Sequence, residues 1–112
     1  MGNDIHKERT GVAGELYEEA KAAHNDKKAR DEFIKSYNDS VINKAVETII
    51  EDCRTQAKLG RFSYWADTDQ FVILPDPDID GHCYRKSAKV LIHARLKDRG
   101  FDIDDGGRIV WR

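Results

Sequence analysis

Long apolar runs are missing from this chain. No stretch approaches the roughly 20 consecutive apolar residues that a helix needs to cross a bilayer, and no basic-then-apolar segment opens the sequence as a secretory signal would. A soluble protein with no membrane partner is therefore expected. Cysteine is scarce: Cys53 and Cys83 are alone, and they form neither the CxxC pairs of metal and redox sites nor a disulfide framework. Reduced thiols in a cytoplasm are the expectation. A surplus of positive charge is absent as well, because 19 Lys and Arg stand against 21 Asp and Glu for a net charge of −2. That removes the overall basic field on which non-specific nucleic-acid binding relies, and leaves open only a local patch. GxSxG, a Walker loop and a dinucleotide fingerprint are all missing, and no Ser or Cys has a recognisable base partner. Nothing here indicates an enzyme, and no cofactor is expected.

What is present suits one modest core under a heavily solvated surface. The 112 residues are 39% hydrophobic and 36% charged, against a usual charged share of about 25%. A single domain over 1–112 is expected, with residues 1–10 as a frayed lead-in. The acids change character along the chain: residues 1–60 carry seven Glu and five Asp, whereas residues 61–112 carry nine Asp and no Glu. Glu favours helix interiors, while Asp bonds to nearby backbone and favours caps and turns. A switch from helical to turn-rich structure near residue 60 follows.

Hydrophobic spacing then places the elements. Val12, Ala13, Leu16, Tyr17, Ala20 and Ala23 recur at helical intervals and predict a first helix over 10–24. It can run on past Asp26 to Phe33, Ile34 and Tyr37 until Asn38-Asp39-Ser40 interrupts it. A second helix over 41–57 shows the clearest pattern, with Val41, Ile42, Ala45, Val46, Ile49, Ile50, Cys53 and Ala57 within about half of the helical circle. Ser40 or Asp39 is its expected cap and Gly60 its stop. Residues 62–66 and 70–74, rich in aromatic and β-branched types, read as a hairpin around Asp67-Thr68-Asp69. Pro75 and Pro77 enforce a loop, which leads to a third helix over 84–99 that Gly100 ends. Residues 101–103 and 108–111 flank Asp104-Asp105-Gly106-Gly107, a hairpin signal because Asp and Gly accept positive φ. The sum is an α+β fold: two N-terminal helices, a β-hairpin, a third helix and a C-terminal β-hairpin, with the helices on one face of a small antiparallel sheet.

Ile49, Cys53, Ala57, Gly60, Arg61 and Ser63, followed by Leu96-Lys97, Gly100-Phe101, Ile103 and then Ile109-Val110-Trp111, form a pattern that resembles small accessory proteins encoded by tailed bacteriophages. The likeness covers about residues 49–112. It implies a compact αβ unit with a long helix, a Gly-ended turn, a second helix and a final hairpin finishing in an aromatic. It implies a setting too, a phage particle or the cytoplasm of the bacterial host, and no catalytic residues.

Three constellations remain to be weighed. Asp76, Asp78 and Asp80, with Gly81, match the first half of a calcium loop, but the bidentate Glu expected at position 87 is Ser87; the plainer expectation is a Pro-Asp turn whose Asp80 caps the following helix. His82-Cys83 with Cys53 and His93 lacks zinc spacing, so no metal is expected. Asp102 with Asp104 would need burial to act as an acid–base pair, and both flank a turn. Lys86, Lys89, His93 and Lys97 share a wedge of about 80° on the third helix and with Arg85 are the candidate nucleic-acid contacts, a basic ridge followed by a hairpin as in winged helices. Finally, Phe62, Tyr64, Phe71 and Ile73 facing the helices would leave Trp65 and Val72 outside. An exposed Trp65 beside Arg61 or Arg108 is a protein-contact candidate, because aromatics and Arg are enriched at interfaces.

The leading expectation is thus a non-enzymatic, phage-type protein-binding module, a virion or assembly component whose partner is another protein, viral or host. The alternatives are an inhibitor that occupies a bacterial enzyme or defence complex, and a small nucleic-acid-binding regulator using the ridge. Homo-oligomers fit any of the three.

Overall fold

A computed structural model of the chain describes residues 11–81 and 84–112. The elements run α1 (Gly11–Asn25), α2 (Lys27–Lys58), β1 (Ser63–Tyr64), a 3-10 turn (Thr68–Gln70), β2 (Val72–Ile73), the single turn α3 (Pro77–Asp80), β3 (Lys86–Ser87), α4 (Lys89–Asp98), β4 (Asp102–Ile103) and β5 (Ile109–Val110). The fold is α+β, mostly helical with small antiparallel sheets. No helix among the described residues is long and apolar enough to cross a membrane. The chain forms two compact units, one ending at Ile34 and one spanning Lys35–Arg112.

In the first unit α1 gives way to α2 at Asp26, a single residue outside helical geometry. The Asp26 carboxylate accepts the N–H of Ala29 at 3.1 Å, as an N-cap does. The backbone bond from Asp26 to Ala22 closes α1, and that from Arg30 to Asp26 opens α2. No residue of α1 is buried.

The expected break at Asn38-Asp39-Ser40 is absent, for a tertiary reason. The Asn38 amide donates to the Leu74 carbonyl at 2.9 Å and its oxygen accepts the Leu74 N–H at 2.7 Å. Asp39 is paired with Arg95 at 3.4 Å. With those side chains engaged across the fold, neither Asp39 nor Ser40 caps a helix, and α2 passes straight through. Further on, α2 buries Ile42, Ala45, Val46, Ile49, Ile50 and Cys53, the expected arc except for half-buried Val41 and exposed Ala57.

Gly60 and Gly100 end α2 and α4 in the same way. Each has positive φ, 81° and 95°. In each case the following N–H reaches back five residues, Arg61 to Gln56 and Phe101 to Leu96, both at 3.1 Å. This is the Schellman closure that only a left-handed residue allows, and Gly adopts it without steric cost.

The strands pair differently from the hairpin expected over 62–74. Ser63 and Tyr64 lie opposite Val110 and Ile109, whereas Val72 and Ile73 lie opposite Ser87 and Lys86. The intervening residues do not form a hairpin loop: Asp67 caps the 3-10 turn by accepting the Asp69 N–H, and Thr68 is buried, so the chain is redirected into a second sheet. The C-terminal hairpin forms as expected, with Ile103 opposite Ile109, giving a sheet of order β1-β5-β4 and a separate pair β2-β3. The third helix starts at Lys89 rather than 84, because pairing with β2 and a bond from the Ala88 N–H to the Phe71 carbonyl hold residues 86–88 out of helical geometry.

The core of the second unit joins the α2 arc to Ile73, Ala88, Ile92, Leu96 and Ile109. Phe101 and Trp111 close one end edge-to-face, with centroids 6.4 Å apart, an arrangement that the ring quadrupoles favour. Along the flank, Asn43 and Asp39 receive Arg95, and Glu47 receives Arg99 at 2.8 Å. Residues 39, 43 and 47 lie one turn apart on α2, as do 95 and 99 on α4, so the pairs register the two helices turn by turn.

Candidate interaction surface

β1 is an end strand of its sheet, and the residues around it form the most distinctive surface of the second unit. Trp65 and Phe62 are each 56% exposed. The Arg108 guanidinium lies 5.3 Å from the centroid of the Trp65 ring, and that of Arg112 lies 5.8 Å from Phe62; both are at cation–π range. Gln56, Arg61, Ser63, Tyr64, Trp65 and Arg108 line an open cavity of about 280 Å³.

Each side chain has a local cause for its position. Arg61 follows the Gly60 stop and is held by the Gln56 side-chain oxygen at 2.6 Å. The Tyr64 hydroxyl donates to Asp52 at 3.2 Å; burial, and then the charge and acceptance of Asp52, raise its pKa above the usual phenol value. Asp104 organises the β4–β5 turn by accepting the N–H groups of Gly106 at 3.0 Å and Arg108 at 2.8 Å. The turn then supports the indole: a Cβ at Gly106 would sit 3.0 Å from Trp65, so glycine there lets the ring approach the turn closely. Two arginines, Arg108 and Arg112, thus stand over two exposed aromatics with Arg61 in the same cavity lining, while the nearby acids Asp52 and Asp104 are engaged in hydrogen bonds of their own.

The structure therefore brings Trp65, Arg61 and Arg108 together. It does not bring in Val72, which is partly exposed but belongs to the other sheet. Phe62, expected to face the helices, points to solvent instead. It precedes the two-residue strand, so the in–out alternation of β1 does not reach it. Gln56 and Arg112 carried no signal in the sequence, since their roles depend on contacts made across the fold.

The basic ridge divides. Lys89, His93 and Lys97 share a face of α4 at four-residue spacing, but Arg85 and Lys86 precede the helix, and Lys86 pairs with Asp80 at 3.5 Å. Burial lowers the His93 pKa below the usual 6.5, and the positive charges of Lys89 and Lys97 lower it further.

In the aspartate loop, Asp76 accepts the Asp78 N–H at 2.9 Å and Asp80 accepts the Asp76 N–H at 2.8 Å. The expected capping role falls on Asp76, at the head of α3, rather than on Asp80 before the next helix. No cluster of three metal-binding side chains occurs among the described residues. His82 and Cys83 lie outside the described residues. Cys53 is buried, and burial reinforced by Asp52 pushes its thiol up to about 11. A thiol so protonated is a poor nucleophile.

No protein-family model matches the chain, and no curated protein or solved structure matches it either.

Proposed function

We propose that this protein is a non-enzymatic binding module that engages another protein through the edge of β1, with Trp65 and Phe62 as anchors and Arg61, Arg108 and Arg112 as their charged frame. The observation that carries this reading is the pair of exposed aromatics, each already oriented by an arginine. Large aromatics held in place lose little conformational entropy on binding and, with Arg, dominate interface energetics. An end strand adds unpaired backbone groups on which an extended segment of a partner can pair. The setting belongs to the proposal as well: the resemblance of residues 49–112 to tailed-phage accessory proteins supports a virion or assembly component. The division of the basic ridge weakens the nucleic-acid alternative.

Affinity capture from phage-infected bacterial lysate, read by mass spectrometry, tests it. The wild-type chain is expected to recover a partner in stoichiometric amount, and Trp65→Ala with Arg108→Ala to lose it while keeping the wild-type melting temperature. Identical recovery by both chains would end the reading. Presence of the chain in purified virions then supports the structural role, and its absence with early expression supports the inhibitor role.

A further inference from the structure

Four arginines each meet a carboxylate at 3.4 Å or less: Arg30 meets Asp31, Arg54 meets Glu51, Arg95 meets Asp39 and Arg99 meets Glu47. Arg61 and Arg108, both exposed at the edge of β1, meet none among the described residues. Their partners are neutral, the Gln56 side-chain oxygen for Arg61 and the Trp65 ring for Arg108, so neither charge is compensated at contact range. The cavity they share is walled by the Gln56 amide, the Ser63 and Tyr64 hydroxyls and the Trp65 indole, and by no carboxylate. Of the nearby acids, Asp52 is turned to the Tyr64 hydroxyl and Asp104 to the amides of its own turn. The strand edge adds an independent feature. Trp111 donates its N–H to the Phe62 carbonyl, and Ser63 lies opposite Val110. Bonded and non-bonded pairs alternate along an antiparallel ladder, so the N–H and C=O of Ser63 point away from β5 to the open edge, between Arg61 and Trp65.

We infer that the segment received here is an acidic, extended peptide of the partner. Its backbone bonds to the N–H and C=O of Ser63 as an added strand, and a Glu or Asp side chain enters the cavity between Arg61 and Arg108. The inference rests on the reading of the β1 edge as a protein-binding surface, and names the chemistry that this surface takes. Guanidinium groups match carboxylates through paired N–H donors, and such charge-assisted bonds are stronger than neutral ones. Side chains of a strand alternate between its faces, so a segment with acids at every second position turns all of them to the arginine side. A nucleic-acid strand fits less well. Its backbone offers no N–H and C=O in the register that Ser63 presents, and one face of each exposed ring, on which a base would stack, is already taken by Arg108 or Arg112.

Fluorescence anisotropy on the full chain, with a capped and labelled peptide of alternating Glu and Thr, tests this. At low salt that peptide is expected to bind about tenfold or more tightly than the same peptide with Gln for Glu, and to weaken as salt rises. The double variant Arg61→Glu with Arg108→Glu is expected to keep the wild-type melting temperature, because both side chains are exposed. It is expected to lose the Glu peptide and to gain one of alternating Lys and Thr. Amide exchange at Ser63 is expected to slow when the Glu peptide binds, which a charge contact without strand pairing would not cause. Equal binding of the Glu and Gln peptides, or binding of neither, overturns the inference. So does a charge reversal that leaves the preference in place, an unprotected Ser63 amide, or a preference for single-stranded oligothymidine over the Glu peptide. Lysate capture reads failure of the surface separately. A partner lost with Trp65→Ala and Arg108→Ala, without any acid preference, keeps the surface and discards the acidic segment; capture indifferent to those substitutions discards both.

Discussion

α1 and the middle of α2 have comparable apolar spacing and opposite fates. Ile42, Ala45, Val46, Ile49, Ile50 and Cys53 are all buried, while α1 buries nothing. Both segments are amphipathic, so amphipathicity announces only that a face seeks cover. What differs is the supply of a covering element among the described residues of the same unit: α4 and the sheets bring Ile73, Ile92, Leu96 and Ile109 onto α2, whereas no residue of α1 is buried. A helical stripe in a sequence is therefore evidence of a contact surface, and whether that surface is a core or an interface is a separate question.

The sharpest way to break this comparison is to truncate a side chain on the covered side. Ile49→Ala is expected to cost about 2–5 kcal/mol, lost burial plus the cavity left behind, read as a lower denaturant midpoint. A midpoint equal to wild type would show that the arc is not a packed core. Asn38→Ala comes next, at about 1–3 kcal/mol, because the Leu74 N–H and carbonyl both lose their partner. The same measurement checks it, and a negligible loss would mean that water replaces the amide freely.

A smaller effect comes from pH. The folded state lowers the His93 pKa below the ordinary 6.5 through burial and the adjacent Lys89 and Lys97, so between the lowered value and 6.5 the unfolded chain binds more protons than the folded one. Stability from this group is complete above pH 6.5 and is lost as pH falls through the lowered value. Melting temperatures from pH 7.5 to 5.5 are expected to fall more for wild type than for His93→Gln, and parallel curves would refute the assignment. Smallest of all, Lys89→Glu on the exposed side of α4 is expected to stay within about 0.5 kcal/mol of wild type. A large loss there would give the surviving ridge a structural role.

Much of the fold was legible because it rests on local chemistry. The apolar arc of α2, the glycine stops at 60 and 100, and the Asp104–Gly107 hairpin all depend on side chains within a few residues of one another. The partners of residues 62–66 and 70–74 were not legible, because strand pairing depends on which segments the helices bring together. Of the candidate surface, Trp65, Arg61 and Arg108 could be named from residue type, while Phe62 and Arg112 became visible only once the end strand and its neighbours were placed. The basic ridge failed for the complementary reason: pairing with β2 held Lys86 and Ser87 out of a helix that their spacing alone would have extended.

Composition and periodicity by themselves determined that this chain folds as α+β, that residues 41–57 are helical and that glycine stops helices at 60 and 100, since backbone propensity and burial of a repeating apolar face act over one or two turns. Only the tertiary structure decided that Asn38 would clasp Leu74 instead of ending a helix, that β1 would pair with β5, and that Trp65 and Phe62 would each lie under an arginine. Those outcomes turn on groups 36 to 50 residues apart in the sequence, and hydrogen bonds and ring contacts at that separation exist only after the core has brought their backbones within reach.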